Sequence, residues 1–221
     1  LILLDQNQLS PNVRQDRFPL FSHGLNEEGD EFRELIVRIL SFVQFEPEFV
    51  DVLYSWTAGH PYLTVNLLRS FLDWLIAERK PLQSWPLTGK DLSDYLGDGS
   101  SGRLLNSPDF SFFRTFSSQA LTEEYRHQVP WLHSVLVLLR GIAAWSPNSL
   151  ELDMEDLAAI ANEFGLEQLT GRTLAELVAT AESANFLQIH QGKVMPRIRL
   201  LAKLSALVVP AIPPGSHERK R

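Results

Sequence analysis

A single tight turn divides the most apolar stretch of the chain, from Phe49 to Ile76, into two helical segments. Apolar residues recur at helical spacing on both sides of the turn Ala58-Gly59-His60-Pro61, which predicts two amphipathic helices. Gly59 stands where a left-handed residue commonly ends a helix, and Pro61 stands in the first turn of the next helix. Any fold must therefore accommodate a rigid corner here, and on local physics alone that corner could be purely structural.

The residues before this corner predict a further helix of the same bundle. Pro47 opens the first of the two corner helices, since proline at the first helical position gives up no hydrogen bond. Earlier still, Asp30 is a predicted N-cap for a helix that runs to about Phe45 and has one apolar face. We therefore expect a small helical bundle over residues 30–80, with the corner inside it.

The corner also carries a short motif. The run Thr57–Leu63, TAGHPYL, resembles the GGHPY signature of AAA-like P-loop ATPases of the STAND type, including the archaeal-type ATPases. In that family the motif lies in a helical lid that follows the nucleotide-binding core, and its proline packs beside the adenine or ribose. The resemblance implies that Pro61 contacts the nucleotide, that Gly59 allows close approach and that His60 lies nearby. Ala58 departs from the signature, which often has a glycine there.

The last third of the chain has the element order of a winged helix. Apolar spacing and caps predict a helix over Trp131–Arg140, a short strand at Leu150–Leu152, a helix capped by Asp153, a third helix opened by Thr170 and a β-hairpin over Phe186–Ile198. Pro196 lies within the second hairpin strand and predicts that this strand is at a sheet edge, because proline cannot donate to a ladder.

A winged helix after the lid extends the resemblance, because archaeal-type and STAND ATPases often have that arrangement. We therefore expect a mainly α protein, with a helical lid bundle followed by a winged-helix-like α/β domain that carries a small β-hairpin. The predicted divisions are an end fragment of an ATPase core with a loop (1–29), the lid (30–80), a linker with a helical segment (81–129), the winged-helix-like domain (130–208) and a disordered tail (209–221).

The first residues read as a buried strand, since the apolar run Leu1–Leu4 is closed by Asp5. The resemblance allows Asp5 to be the Walker B acid near magnesium, or to end a later sensor strand. An ordinary strand end stays open as the simpler interpretation. Gln6 stands where Walker B often has a catalytic glutamate, which argues against a hydrolytic role. A leucine at the first position suggests a fragment of a longer protein.

The chain lacks the Gly-x-x-x-x-Gly-Lys-Ser/Thr loop that holds phosphates in these ATPases. The glycine-rich segment Gly97–Arg103 has no Lys-Ser/Thr and follows no apolar strand, so we interpret it as a flexible linker. ATP or ADP with magnesium is thus expected only if a missing N-terminal ATPase core is present, and no cofactor is expected for this chain alone. The implied function is a nucleotide-dependent switch in which the lid contacts nucleotide and the winged helix relays its state to a partner protein.

Winged helices often bind DNA, and the charge pattern bears on that alternative. The net charge is −7, and acidic residues outnumber basic ones between Trp131 and Val208. This balance disfavours DNA, because phosphate contacts supply most non-specific affinity. The candidate DNA contacts are the basic residues near the wing, Lys193, Arg197 and Arg199. A stand-alone winged-helix DNA-binding regulator and a helical protein-interaction module remain the alternatives.

Composition excludes several classes of catalytic site. The chain has no cysteine, and its six histidines form no His-Glu-x-x-His pair or other metal-ligand spacing. No Gly-x-Ser-x-Gly nucleophile elbow is present. We therefore expect no catalytic residue and no metal site in the chain as it stands, although it is expected to be part of an ATPase. The absence of a long apolar run or a signal peptide leads us to expect a cytoplasmic protein with no membrane contact.

Overall fold

The computed structural model describes residues 20–24, 30–78, 86–97, 107–111 and 121–208. These residues form a mainly helical protein with one small three-stranded antiparallel sheet, as the sequence predicts. The helices are α1 (Glu31–Ile39), α2 (Pro47–Thr57), α3 (Pro61–Ala77), α4 (Gly89–Leu96), α5 (Glu123–Gln128), α6 (Pro130–Trp145), α7 (Met154–Glu163), α8 (Leu166–Thr170), α9 (Leu174–Ser183) and α10 (Arg199–Val208). The strands are β1 (Leu152–Asp153), β2 (Leu187–His190) and β3 (Lys193–Pro196).

Helix α1 begins at its predicted cap but ends early. The Asp30 carboxylate accepts a hydrogen bond from a first-turn amide at 2.9 Å. The helix stops at Ile39, whereas the sequence predicts an end near Phe45. Phe45 instead forms an isolated parallel bridge with Leu87, so its neighbourhood pairs with a distant segment and is not free to continue the helix. That pairing is tertiary, and helical periodicity alone does not reveal it.

The spacing of Thr88 and Asp91 in the sequence predicts a capping box, and helix α4 starts with it. The Thr88 hydroxyl accepts from the Asp91 amide at 3.2 Å, and the Asp91 carboxylate accepts from the Thr88 amide at 3.0 Å. The helix lies within the segment predicted as a linker with a helical part, and it packs against α2. Helices α1, α3 and α4 thus all pack against α2.

The elements from α6 to α10 follow the order of a winged helix, with sheet order β1-β3-β2. The helix predicted to open at Thr170 begins four residues later, at Leu174. The Thr170 hydroxyl donates back to the Leu166 carbonyl at 2.8 Å inside the short helix α8, which ends at the left-handed Gly171. The true cap of α9 is Thr173, which forms a second capping box.

The prediction that Pro196 lies in an edge strand is wrong, because β3 is the central strand of the sheet. The physical reason is the shortness of β1, which pairs only with Lys193 and Val194. At Pro196 the strand has a single neighbour, Leu187 of β2, so the proline still has the unpaired side that it needs.

Helix α10 joins the two parts of the molecule. Helix α6 is buried continuously from Leu132 to Ala143. Helix α10 packs along α6 and also contacts α2, so the bundle and the winged-helix part share one continuous apolar core. Among the helices described, none is both long enough and apolar enough to cross a bilayer.

Candidate functional site

The corner between α2 and α3 is built from two successive left-handed residues. Ala58 has φ 48° and ψ 32°, and Gly59 has φ +72°. His60 then returns to an extended conformation and caps α3, and Pro61 is the first residue of that helix. The three residues predicted to approach nucleotide thus lie together on one tight turn: Gly59, His60 and Pro61. The left-handed residues and the proline of this turn determine its backbone conformation.

Gly59 does allow a close approach, but the group that approaches belongs to the same chain. The Phe21 amide donates to the Gly59 carbonyl at 3.1 Å. A Cβ atom on Gly59 would lie 2.3 Å from the Phe21 carbonyl oxygen and 3.1 Å from the Tyr54 ring. Segment 20–24 therefore covers this face of the corner, and no side chain fits beneath it.

His60 acts as a buried cap. Its side chain is almost fully buried, and its Nδ1 atom accepts from the Leu63 amide at 3.4 Å. Burial lowers the pKa of His60 below its ordinary value, so the ring is neutral at neutral pH. Beside it, the Thr64 hydroxyl donates to the buried Thr57 hydroxyl oxygen at 3.0 Å.

Pro61 and Tyr62 form the part of the motif that faces outward. Pro61 is half-buried, and Tyr62 is exposed. Of the residues predicted to contact nucleotide, Pro61 therefore has the surface that a ligand could reach, while Gly59 and His60 are buried behind it. Asp5, the fourth predicted site residue, lies outside the described residues, as does the predicted tail at 209–221.

One aromatic side chain of the corner helix α2 contacts two cations of the winged-helix part. The Trp56 ring lies 5.3 Å from the Arg199 guanidinium carbon and 5.3 Å from the Lys203 ammonium nitrogen, both on α10. The same cations are held from other sides. The Arg199 guanidinium donates to the Ser149 carbonyl at 3.1 Å, and the Lys203 ammonium donates to the carbonyl of Leu96 at the end of α4. Trp56 is thus positioned between two cations that are themselves fixed.

The candidate DNA contacts near the wing do not form an open basic surface. Lys193 pairs with Glu151 at 3.7 Å. Arg199 lies against Trp56, and burial lowers its pKa, while the nearby Glu151 acts in the opposite direction. Arg197 is half-buried, and its Nε atom has no hydrogen-bond partner among the described residues. The three side chains therefore face different surroundings.

The structure also reveals a bridge between three ionisable side chains that the sequence pattern does not indicate. The His23 ring lies between two carboxylates, 2.7 Å from Asp30 and 2.7 Å from Asp51. His23 belongs to the segment that crosses Gly59, and Asp51 belongs to α2. Neither spacing corresponds to a known motif, so only the fold brings these groups together. Trp56 was likewise not predicted, since its partners are distant in sequence.

Comparison of the chain with protein-family models, with characterised proteins and with solved structures gives no match. The hypothesis of an ATPase lid therefore rests on the motif and on the geometry given above. In the parts of the chain that the structure describes, no cluster of three or more histidine and acidic side chains is arranged to hold a metal ion.

Proposed function

We propose that this chain is the regulatory lid and winged-helix part of a nucleotide-dependent switch of the STAND/AAA-like kind. The observation that carries the proposal is the Trp56 contact, which links the motif-bearing helix α2 to helix α10 of the winged-helix part. Trp56 lies within one helical turn of Ala58, where the corner begins. A displacement of the corner would therefore move Trp56 and change its contact with α10.

Within this proposal the three motif residues have different roles. Pro61 offers the ligand-facing surface, since it is the predicted nucleotide contact that remains half-exposed. Gly59 and His60 act behind it: Gly59 admits the crossing segment, and His60 caps α3. They position Pro61 and do not themselves touch nucleotide, which revises the role that the resemblance implies for Gly59.

The relay to a partner protein would run through packed helices. Nucleotide bound at Pro61 favours one position of the corner, and α2 transmits that position to Arg199 and Lys203 through Trp56. A ligand shifts such an equilibrium only by the difference in its affinity for the two states, so the proposal requires the corner to contact nucleotide in one state more than in the other.

The first test is the coding sequence upstream of Leu1. A Gly-x-x-x-x-Gly-Lys-Ser/Thr after an apolar strand supports the proposal, and a start codon immediately before Leu1 contradicts it. The second test uses the protein that the complete gene encodes. Pro61→Ala should weaken ADP binding by about tenfold, the equivalent of about 1.4 kcal/mol from lost ring packing. The matched control is Pro86→Ala, also at a half-buried proline, which should bind ADP as the wild type does.

The positions of the three candidate basic side chains give less support to the DNA-binding alternative. Lys193 is engaged by Glu151 and Arg199 is engaged by Trp56 and Ser149, so two of the three candidate cations already have partners within the protein. A salt-dependent affinity for duplex DNA that falls in Lys193→Ala would nevertheless favour that alternative. Binding to neither nucleotide nor DNA would favour the interaction module.

A further inference from the structure

Segment 20–24 is attached to the bundle at three successive residues. The Phe21 amide donates to Gly59 at 3.1 Å, and the Ser22 carbonyl accepts from the Phe32 amide at 3.0 Å. His23 makes the third attachment, and it alone joins the segment to both α1 and α2 by side-chain bonds. We propose that His23 is a protonation-dependent latch that fastens this segment over the Gly59 corner. The proposal stands independently of nucleotide binding.

With both carboxylates ionised, the geometry requires a charged ring. Nδ1 lies 2.7 Å from Asp30 Oδ2, and Nε2 lies 2.7 Å from Asp51 Oδ1. An ionised carboxylate only accepts hydrogen bonds, and a neutral imidazole has a single N–H. Both bonds therefore form together only when His23 is an imidazolium that donates from both nitrogens. Loss of one proton leaves one nitrogen lone pair facing a carboxylate, and that contact must break.

The surroundings decide which contact is lost. Asp30 is only 24% exposed, and Asp51 is 67% exposed. Burial raises the pKa of Asp30, but hydrogen bonds from the Arg33 amide and from His23 outweigh it, so the net pKa is lowered. The more buried, better-bonded Asp30 keeps the remaining N–H, and Asp51 on α2 is released.

The other groups around the ring do not replace the lost bond. The His23 ring packs against Phe32 of α1 and Tyr54 of α2, with centroids 5.7 Å and 5.0 Å away. On α1, the Glu31 carboxylate accepts from the amide and hydroxyl of Ser22. The titratable groups that face this end of the segment are thus Asp30 at the N-cap of α1, Glu31 on α1, and Asp51 and Tyr54 on α2.

The sign of the pH dependence follows from these groups. The latch is complete while the imidazolium and both carboxylates are charged. It weakens as the pH rises and the ring loses one proton, because the neutral ring has a single N–H. It also weakens below about pH 4 as carboxylates take up protons. The lowered pKa of Asp30 keeps that carboxylate charged further into the acid range. The segment should therefore be fastened most firmly in mildly acidic solution.

The test combines ring nitrogen NMR with hydrogen exchange of the Phe21 amide, both on the full chain. At pH 5.5 the His23 ring should carry protons on both nitrogens. After correction for intrinsic exchange, the opening equilibrium at Phe21 should be about fivefold more populated at pH 8 than at pH 5.5. His23→Gln and Asp51→Asn should each abolish most of this pH dependence, while the exposed control His127→Gln should keep it.

Two outcomes overturn the latch. One is a neutral His23 ring at pH 5.5, and the other is an unchanged pH dependence at Phe21 in His23→Gln. A failure of Pro61→Ala to weaken ADP binding would contradict the proposed function and leave the latch unaffected.

Discussion

Two glycine corners of the molecule have similar φ angles and very different surroundings. Gly59 between α2 and α3 has φ +72°, and Gly171 between α8 and α9 has φ +65°. A Cβ on Gly171 would meet no atom within 4 Å, whereas one on Gly59 would lie 2.3 Å from the Phe21 carbonyl oxygen. The first corner is covered by another segment of the chain and the second is open. The left-handed conformation favours glycine in both places, but of these two corners only Gly59 also leaves no room for a side chain.

The largest expected effect comes from placing alanine at each corner. Gly171→Ala should lower the free energy of unfolding by about 1 kcal/mol, the cost of a left-handed alanine. Gly59→Ala should lower it by about 3 kcal/mol, because the new methyl group must also displace segment 20–24. Urea unfolding of both variants measures the difference. Equal losses at the two sites would show that the covered corner is not tightly packed.

Local chemistry explains which features the sequence could predict. Pro47, Pro61 and the Thr88 capping box each act on the nearest turn of helix, and the structure confirms all three. The winged-helix element order was predictable for the same reason. The approach of Phe21 to Gly59 could not be predicted, since it depends on a segment that periodicity leaves as a loop.

The prediction that is wrong and the contacts that the sequence does not indicate both depend on tertiary structure. The missing donor of Pro196 predicts a sheet edge, but strand lengths decide which positions are paired. The His23 bridge and the Trp56 contact join residues far apart in sequence, so no spacing rule indicates them. The nucleotide contact at Pro61 remains a prediction.

The second-largest expected loss of stability comes from removing the Trp56 contact between the helical bundle and the winged-helix part. Trp56→Leu should lower the free energy of unfolding by about 2 kcal/mol, because it removes the ring that Arg199 and Lys203 contact and leaves both cations against an aliphatic surface. Trp145, which is 44% exposed, provides the matched control, and Trp145→Leu should change stability by about 0.5 kcal/mol or less. A loss in Trp56→Leu no greater than in the control would remove Trp56 as the link.

The capping boxes at Thr88 and Thr173 should contribute equally to stability in the helical bundle and in the winged-helix part. Thr88→Ala in the bundle and Thr173→Ala in the winged-helix part should each cost about 1 kcal/mol, since each removes one cap of the same geometry. Thermal unfolding checks both. A much larger cost for Thr88→Ala would indicate that α4 also depends on its contact with α2.

The smallest effect is a pH dependence at the covered corner. Because burial lowers the pKa of His60, the unfolded chain takes up a proton at higher pH than the folded chain does. The stability contributed by the neutral ring is therefore complete above about pH 6.5 and falls as the pH drops. His60→Asn retains a capping side chain and should lose less stability than the wild type between pH 7.5 and pH 5. This sign is opposite to that of the His23 latch.

The central claim is that a change in the conformation of the Gly59 corner is transmitted through Trp56 to helix α10 of the winged-helix part. Hydrogen exchange of α10 tests it most directly, measured in the wild type, Gly59→Ala, Trp56→Leu and the double variant. We predict that Gly59→Ala speeds exchange in the first turns of α10 and leaves α7 unchanged, and that it adds nothing further once Trp56 is leucine. Unchanged exchange in α10 of Gly59→Ala, with faster exchange in α3, would contradict the claim.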